Sequence, residues 1–111
     1  MKGDLIDAHK WVKNELEKTI VFWLENGLDK EYGGVITCLD RKGQIFSKDK
    51  SVWMQGRCGW VFANLCTVYG KKQEWIESSK LCIDFLEKYC HNKKCEGRLY
   101  FIVTNDGKPL R

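Results

Sequence analysis

A chain of 111 residues has room for one domain at most, and five Trp and five Phe within a 43% apolar composition describe a globular protein, not a disordered one. The net charge of +4 is mild, and the Lys pairs at 71–72 and 93–94 stand well apart. Nucleic-acid binding would need one basic stripe with interleaved aromatics, so it is not expected.

Residues 1–7 show no apolar run followed by a small-residue cleavage site, so no signal peptide is expected. The six Cys are therefore read as reduced, small and mostly buried. Cys90, His91 and Cys95 lie close in sequence, but a fourth ligand at the usual spacing is missing and no metal site is expected.

Asp4 to Asn26 reads as a helix, with Asp4 as N-cap and Gly27 just past its end. Leu5, Val12, Leu16, Ile20 and Trp23 form one apolar stripe, while Lys10, Lys13, Glu17, Lys18 and Glu25 keep other faces wet. Val35 to Leu39 is β-prone, 40–43 is turn chemistry, and 44–46 returns as a second strand, so a hairpin is predicted.

Residues 51–70 predict a helix apolar or small nearly all round, with Arg57 as its only charge; such a helix is expected to be buried. Arg57 near its middle, with Gln55, two Gly, Asn64 and Thr67, argues against a membrane span. Trp53, Arg57, Trp60 and Asn64 share one narrow face, at steps of four, three and four. Gly56 and Gly59 each lower helix propensity by about 1 kcal/mol, which calls for close packing or a ligand. Residues 73–91 predict an amphipathic helix, with Trp75, Cys82, Phe85, Leu86 and Tyr89 inward. A second hairpin is predicted over 97–110, with 99–103 as strand and 105–107 as turn.

The two hairpins repeat. Gly33 to Gly43 aligns with Gly97 to Gly107 without a gap, 64 residues on. The order is wet helix, hairpin, buried helix, short turn, wet helix, hairpin. That is the pattern of a two-layer helical barrel, whose repeats cannot bury their faces alone. Alternating helix direction puts both hairpins over one mouth, and Trp53 and Arg57 near it.

Several ordered segments carry a more specific signal: Phe22-Trp23, Glu31-Tyr32-Gly33-Gly34, Thr37-Cys38-Leu39-Asp40-Arg41, Val52-Trp53-Met54-Gln55-Gly56-Arg57 and Thr104-Asn105-Asp106-Gly107-Lys108-Pro109. Together they resemble the N-acylglucosamine 2-epimerase family from about residue 11 onward. The resemblance implies an all-α fold with two β-hairpins, the N-terminal part of an (α/α)6 barrel (a six-hairpin toroid), with 1–111 as one portion of a single barrel domain. It implies C2 epimerisation of a sugar, with N-acetylglucosamine and N-acetylmannosamine as the leading pair. A base removes the C2 proton of the open-chain sugar, an enediolate forms, and an acid returns a proton to the other face.

By the same resemblance Arg57 binds sugar oxygens and stabilises the enediolate, Trp53 packs on the sugar, and Tyr100 lies near the substrate. The acid–base histidines are expected from later inner helices, and this chain alone is expected to be inactive. No cofactor is required, although ATP stimulates some relatives. The full-length protein is expected to be a cytoplasmic homodimer acting on a small sugar, with no nucleic-acid or membrane partner.

Plainer readings stand beside these. Arg57 can be a structural arginine paired with an acid, and Trp53 and Trp60 can be core residues. Asn64 is expected to make a buried hydrogen bond. His9 and His91, the only histidines, match no catalytic position. Asp40 and Asp106 read as turn residues and Glu31 as a hairpin support, not as a hydrolase carboxylate pair. The alternatives are an aldose–ketose isomerase or cellobiose 2-epimerase of the same superfamily, a non-catalytic renin-binding-like role, and an α/α-barrel glycoside hydrolase.

Overall fold

The computed structural model describes residues 2–111. Three helices, α1 (Lys2–Asn26), α2 (Val52–Tyr69) and α3 (Gln73–Tyr89), alternate with four short strands, β1 (Cys38–Leu39), β2 (Ile45–Ser47), β3 (Lys50–Ser51) and β4 (Ile102–Val103). None of the helices among the described residues is long and apolar enough to cross a membrane.

The helix boundaries follow local chemistry. Ser51 caps α2, its hydroxyl accepting the Met54 N–H at 3.4 Å, and Gly70 ends the helix at φ 96°, donating to Cys66. The turn at 70–72 returns the chain antiparallel, and α3 packs along α2. Gly59 leaves room for α3 to approach α2: a Cβ there would lie 2.8 Å from Ile83 Cδ1, and Ser79 donates to the Gly59 carbonyl at 2.7 Å. Gly56 has only ordinary contact with Leu86, so close packing accounts for one of the two glycines.

Two apolar clusters divide the α2–α3 seam. Phe62, Leu65 and Trp75 form one, with Leu16, Ile20 and Leu24 of α1 packed on it. Val52, Phe85, Cys90 and Val103 form the other, at the hairpin end.

Three expectations change. Helix α1 starts at Lys2, so Asp4 lies inside its first turn and is not the N-cap. Only the second half of its stripe packs; Leu5 and Val12 are 72% and 57% exposed, because no other element of this chain reaches them. Helix α3 ends at Tyr89, and His91 instead bridges to Leu99.

The first hairpin forms as β1 against β2, antiparallel and shorter than predicted. The second is not self-contained. Its strand β4 pairs with β3, Lys50 opposite Val103 and Ser51 opposite Ile102, while Pro109 bridges back to Val103. The 64-residue repeat is visible in hydrogen bonds. Gly43 donates to Asp40 as Gly107 donates to Thr104, and Asp40 donates to Gln44 as Thr104 donates to Lys108.

Both hairpins lie at one end, tied together by a buried ammonium. Lys50 is fully buried, and its Nζ donates to Asp29 Oδ2 at 2.6 Å, to the Gly33 carbonyl at 2.8 Å and to the Asn105 carbonyl at 2.9 Å. It also stands 4.5 Å from the centroid of the Phe85 ring. Burial pushes the Asp29 carboxyl up, but the Lys50 ammonium and the N–H groups of Tyr32 and Glu31 outweigh it and hold the carboxyl below its ordinary range.

Removing one partner of such a pair strands the other charge. Lys50→Met is expected to cost about 3–5 kcal/mol, read by urea unfolding. Because the Asp29 pKa is lowered, its contribution is complete above its unfolded value of about 4 and is lost as pH falls through the folded value. The stability difference between wild type and Asp29→Asn should therefore shrink below about pH 4. Gly34 has φ +75°, and a Cβ there would meet Gln55 Oε1 at 2.5 Å. Gly34→Ala is expected to cost more than about 1 kcal/mol in the same experiment.

Candidate functional site

The narrow face of α2 is its open face. Trp53 and Trp60 are 65% and 64% exposed, and Arg57 and Asn64 are exposed between and beyond them. The predicted burial of α2 therefore holds for one side only: Val52, Gln55, Gly59, Phe62 and Leu65 are buried, and the opposite side has no cover within this chain. Asn64 lies on that open side, so the buried hydrogen bond expected of it is not made.

Trp53 occupies the first turn of α2 and Arg57 the second. The guanidinium carbon lies 4.9 Å from the centre of the Trp53 ring, a cation–π contact that restrains an otherwise mobile side chain. None of the ion pairs among the described residues includes Arg57; Glu31, Asp40 and Asp49 are not its partners. Its donors remain directed at neither a carboxylate nor the core. Arg57 also borders a groove of about 250 Å³ between α1 and α2, lined by Leu16, Ile20, Trp23, Thr37 and Met54.

Tyr100 is half-buried, packed on the hairpin-end cluster. The next residue, Phe101, accepts the Val52 N–H at 3.0 Å, so the Tyr100 backbone is joined to the first residue of α2. The structure thus brings Trp53 and Arg57 together on the open face of α2, whereas Tyr100 packs on the hairpin-end cluster. Trp53 and Arg57 touch; Tyr100 approaches from the second hairpin.

Other candidates fall elsewhere. His9 is exposed on the first half of α1, about 25 Å along the helix from the hairpin end. His91 is exposed beside Glu87, its Nε2 3.4 Å from the carboxylate. Asp40 accepts the N–H groups of Lys42 and Gln44, and Asp106 accepts the Thr104 hydroxyl, so both serve their turns. Cys90 is buried in the core while Cys95 is exposed, and no group of three or more metal-ligating side chains converges among the described residues. A larger cleft of about 570 Å³ between α1 and α3 carries Glu25, Glu74 and Glu77 but none of Trp53, Arg57 and Tyr100.

Two residues that order this end were not singled out from the sequence. One is Lys50. The other is Gln55, wholly buried in α2, which accepts the Val35 N–H at 2.6 Å and donates to the Val35 carbonyl at 2.8 Å, acting as a strand partner for the first hairpin. The available signal was an amide inside an otherwise apolar helix: buried polar groups need partners, and such a residue marks where backbone must approach.

The chain is similar to known proteins in sequence and in fold. The sequence model of the N-acylglucosamine 2-epimerase (GlcNAc 2-epimerase) family matches residues 34–111. The N-acylglucosamine 2-epimerase of Rattus norvegicus is 36% identical over 106 residues, 90% of this chain and 24% of the relative. That of Mus musculus is 34% identical over 108 residues, 92% of this chain and 25% of the relative. Among solved structures, cellobiose 2-epimerase from Bacillus thermoamylovorans B4167 superposes with a TM-score of 0.75 at 28% identity, covering 88% of this chain and 25% of that one. A sugar epimerase from a ruminal bacterium does so with a TM-score of 0.72 at 27% identity, covering 82% and 23%. The chain thus spans about a quarter of the length of the relatives it matches. These superpositions bear out the expected fold class, part of an (α/α)6 barrel with small hairpins at one end. The family match runs through the first hairpin, all of α2 and α3 and the second hairpin, and the chain belongs to the N-acylglucosamine 2-epimerase family.

Proposed function

We propose that the full-length protein is a sugar 2-epimerase that interconverts N-acetylglucosamine and N-acetylmannosamine, and that residues 1–111 supply one wall of its active site as part of a single barrel domain. The observation that carries this reading is Arg57, held against Trp53 on the open face of α2 with no ion-pair partner among the described residues. The family to which the chain belongs supports the reaction type.

The chemistry needs such a group. Removing the C2 proton of the open-chain sugar places negative charge on the C1 oxygen of an enolate whose C2 keeps its acetamido group. A guanidinium offers planar, paired donors to that oxygen and its neighbour, and it stabilises charge that develops only as the proton leaves. Trp53 offers an apolar ring for the sugar's C–H face, and Tyr100 a phenol from the second hairpin. The proton transfers belong to residues outside this chain, since neither His9 nor His91 lies with Arg57. The reaction as written requires no cofactor, and ATP would act as a modulator in the manner of some relatives. A homodimer in the cytoplasm, acting on a small sugar, completes the reading.

Proton NMR in deuterium oxide tests it. The full-length protein should exchange the C2 proton of N-acetylglucosamine, and the 111-residue chain alone should not. Exchange with cellobiose in place of N-acetylglucosamine would move the assignment to the activity of one structural neighbour, a cellobiose 2-epimerase. Arg57→Lys in the full-length protein should lower kcat by about a hundredfold or more, the scale of losing an oxyanion donor, while circular dichroism remains that of wild type. Near-wild-type turnover in that variant would remove Arg57 from the mechanism.

A further inference from the structure

We infer that Lys50 is a positioning residue for the α2 face that carries Trp53 and Arg57, an inference that rests on the epimerase reading of that face. An ammonium has three donors, and here each has a separate acceptor: the Asp29 carboxylate and the Gly33 carbonyl before the first hairpin, and the Asn105 carbonyl in the turn of the second. Lys50 is thereby bonded to both hairpin regions at once. Its own backbone is paired in β3 opposite Val103, and the helix begins two residues later.

Further hydrogen bonds tie the start of α2 to both hairpin regions. Val52 donates to Phe101 of the second hairpin region at 3.0 Å, and Gln55 grips Val35 of the first through both of its amide atoms. Trp53 and Arg57 point outward from those same two turns. The inward residues Val52 and Gln55 are bonded to the hairpins, the hairpins are bonded to Lys50, and the outward residues Trp53 and Arg57, which contact each other, are carried by that same stretch of helix. Stability alone does not require this arrangement, since well-packed apolar residues commonly replace a buried ion pair without loss. Three directed hydrogen bonds from one atom fix orientation, which an apolar filler does not. A guanidinium displaced by about 1 Å from the developing charge loses much of its effect.

The test separates position from stability in the full-length protein. Lys50→Met strands the Asp29 carboxylate, whereas the double variant Lys50→Met with Asp29→Asn removes both charges. Steady-state C2 exchange is measured for each well below its own thermal midpoint, alongside hydrogen exchange at the Val35 and Val52 amides. The double variant should regain much of the thermal midpoint lost in Lys50→Met. Its kcat should stay about ten- to a hundredfold below wild type with KM little changed, and both amides should exchange faster. Recovery of kcat together with the midpoint would overturn the inference, as would wild-type protection at both amides. If Lys50→Met does not fold, the double variant decides alone. If wild-type protein shows no C2 exchange, the epimerase reading has failed, and amide protection in the double variant still decides whether Lys50 holds the start of α2.

Discussion

The architecture of the hairpin end depends on a buried cation with three hydrogen bonds. An unpaired ammonium in this environment would be prohibitive, so Asp29, Gly33 and Asn105 must be brought to it for the chain to fold. Meeting that requirement draws in the loop before the first hairpin and the turn of the second, which are far apart in sequence. The β3–β4 pairing and the Gln55 clamp then follow, since each satisfies backbone groups that the convergence buries. The Asp29 carboxylate is itself held by the N–H groups of Glu31 and Tyr32, so the site is satisfied on every side.

Helix α2 joins this scaffold to the face proposed to meet the sugar. One side is bonded to hairpins and packed on α3, and the other presents two indoles and a guanidinium. An apolar helix with one open side is half of an interface. In a two-layer helical barrel the inner helices line the centre, and the open side of α2 is of the kind that such a layer covers. The apolar residues on the first half of α1, Leu5, Trp11 and Val12, have the same character, because α2 and α3 leave them exposed. Both surfaces fit a repeat architecture, in which each unit buries its faces only against neighbours.

Electrostatics sort the two basic residues of this end into different work. Lys50 is a compact point charge with three donors, suited to a closed cage of oxygens. Arg57 is planar, stacked on Trp53 and open on its other side. A lysine in the interior and an arginine at the surface reverse the usual preference for arginine in buried pairs, and the geometry explains why. Three acceptors surround one atom at Lys50, whereas a forked donor suits an oxygen pair on a ligand.

Much was legible in the residues by themselves. The 3.6-residue periodicity of 73–91, the apolar run over 51–70 and the turn chemistry at 40–43 and 105–107 foretold α2, α3 and both hairpin turns, because these depend on neighbours within a few positions. The family was legible through ordered motifs, and with it the fold class and Arg57 as the residue of interest. Local pattern does not report which distant groups meet. Lys50 reads as one more solvated lysine in 48–50 until Gly33 and Asn105 are placed beside it, and the β3–β4 ladder has no local signature at two residues per strand. Exposure was equally undecided: Leu5 and Leu16 share one apolar stripe, yet only Leu16 packs on the Phe62–Trp75 cluster. Periodicity specifies which face of a helix is apolar, whereas burial depends on whether another surface arrives to cover it, and only the tertiary structure decided that.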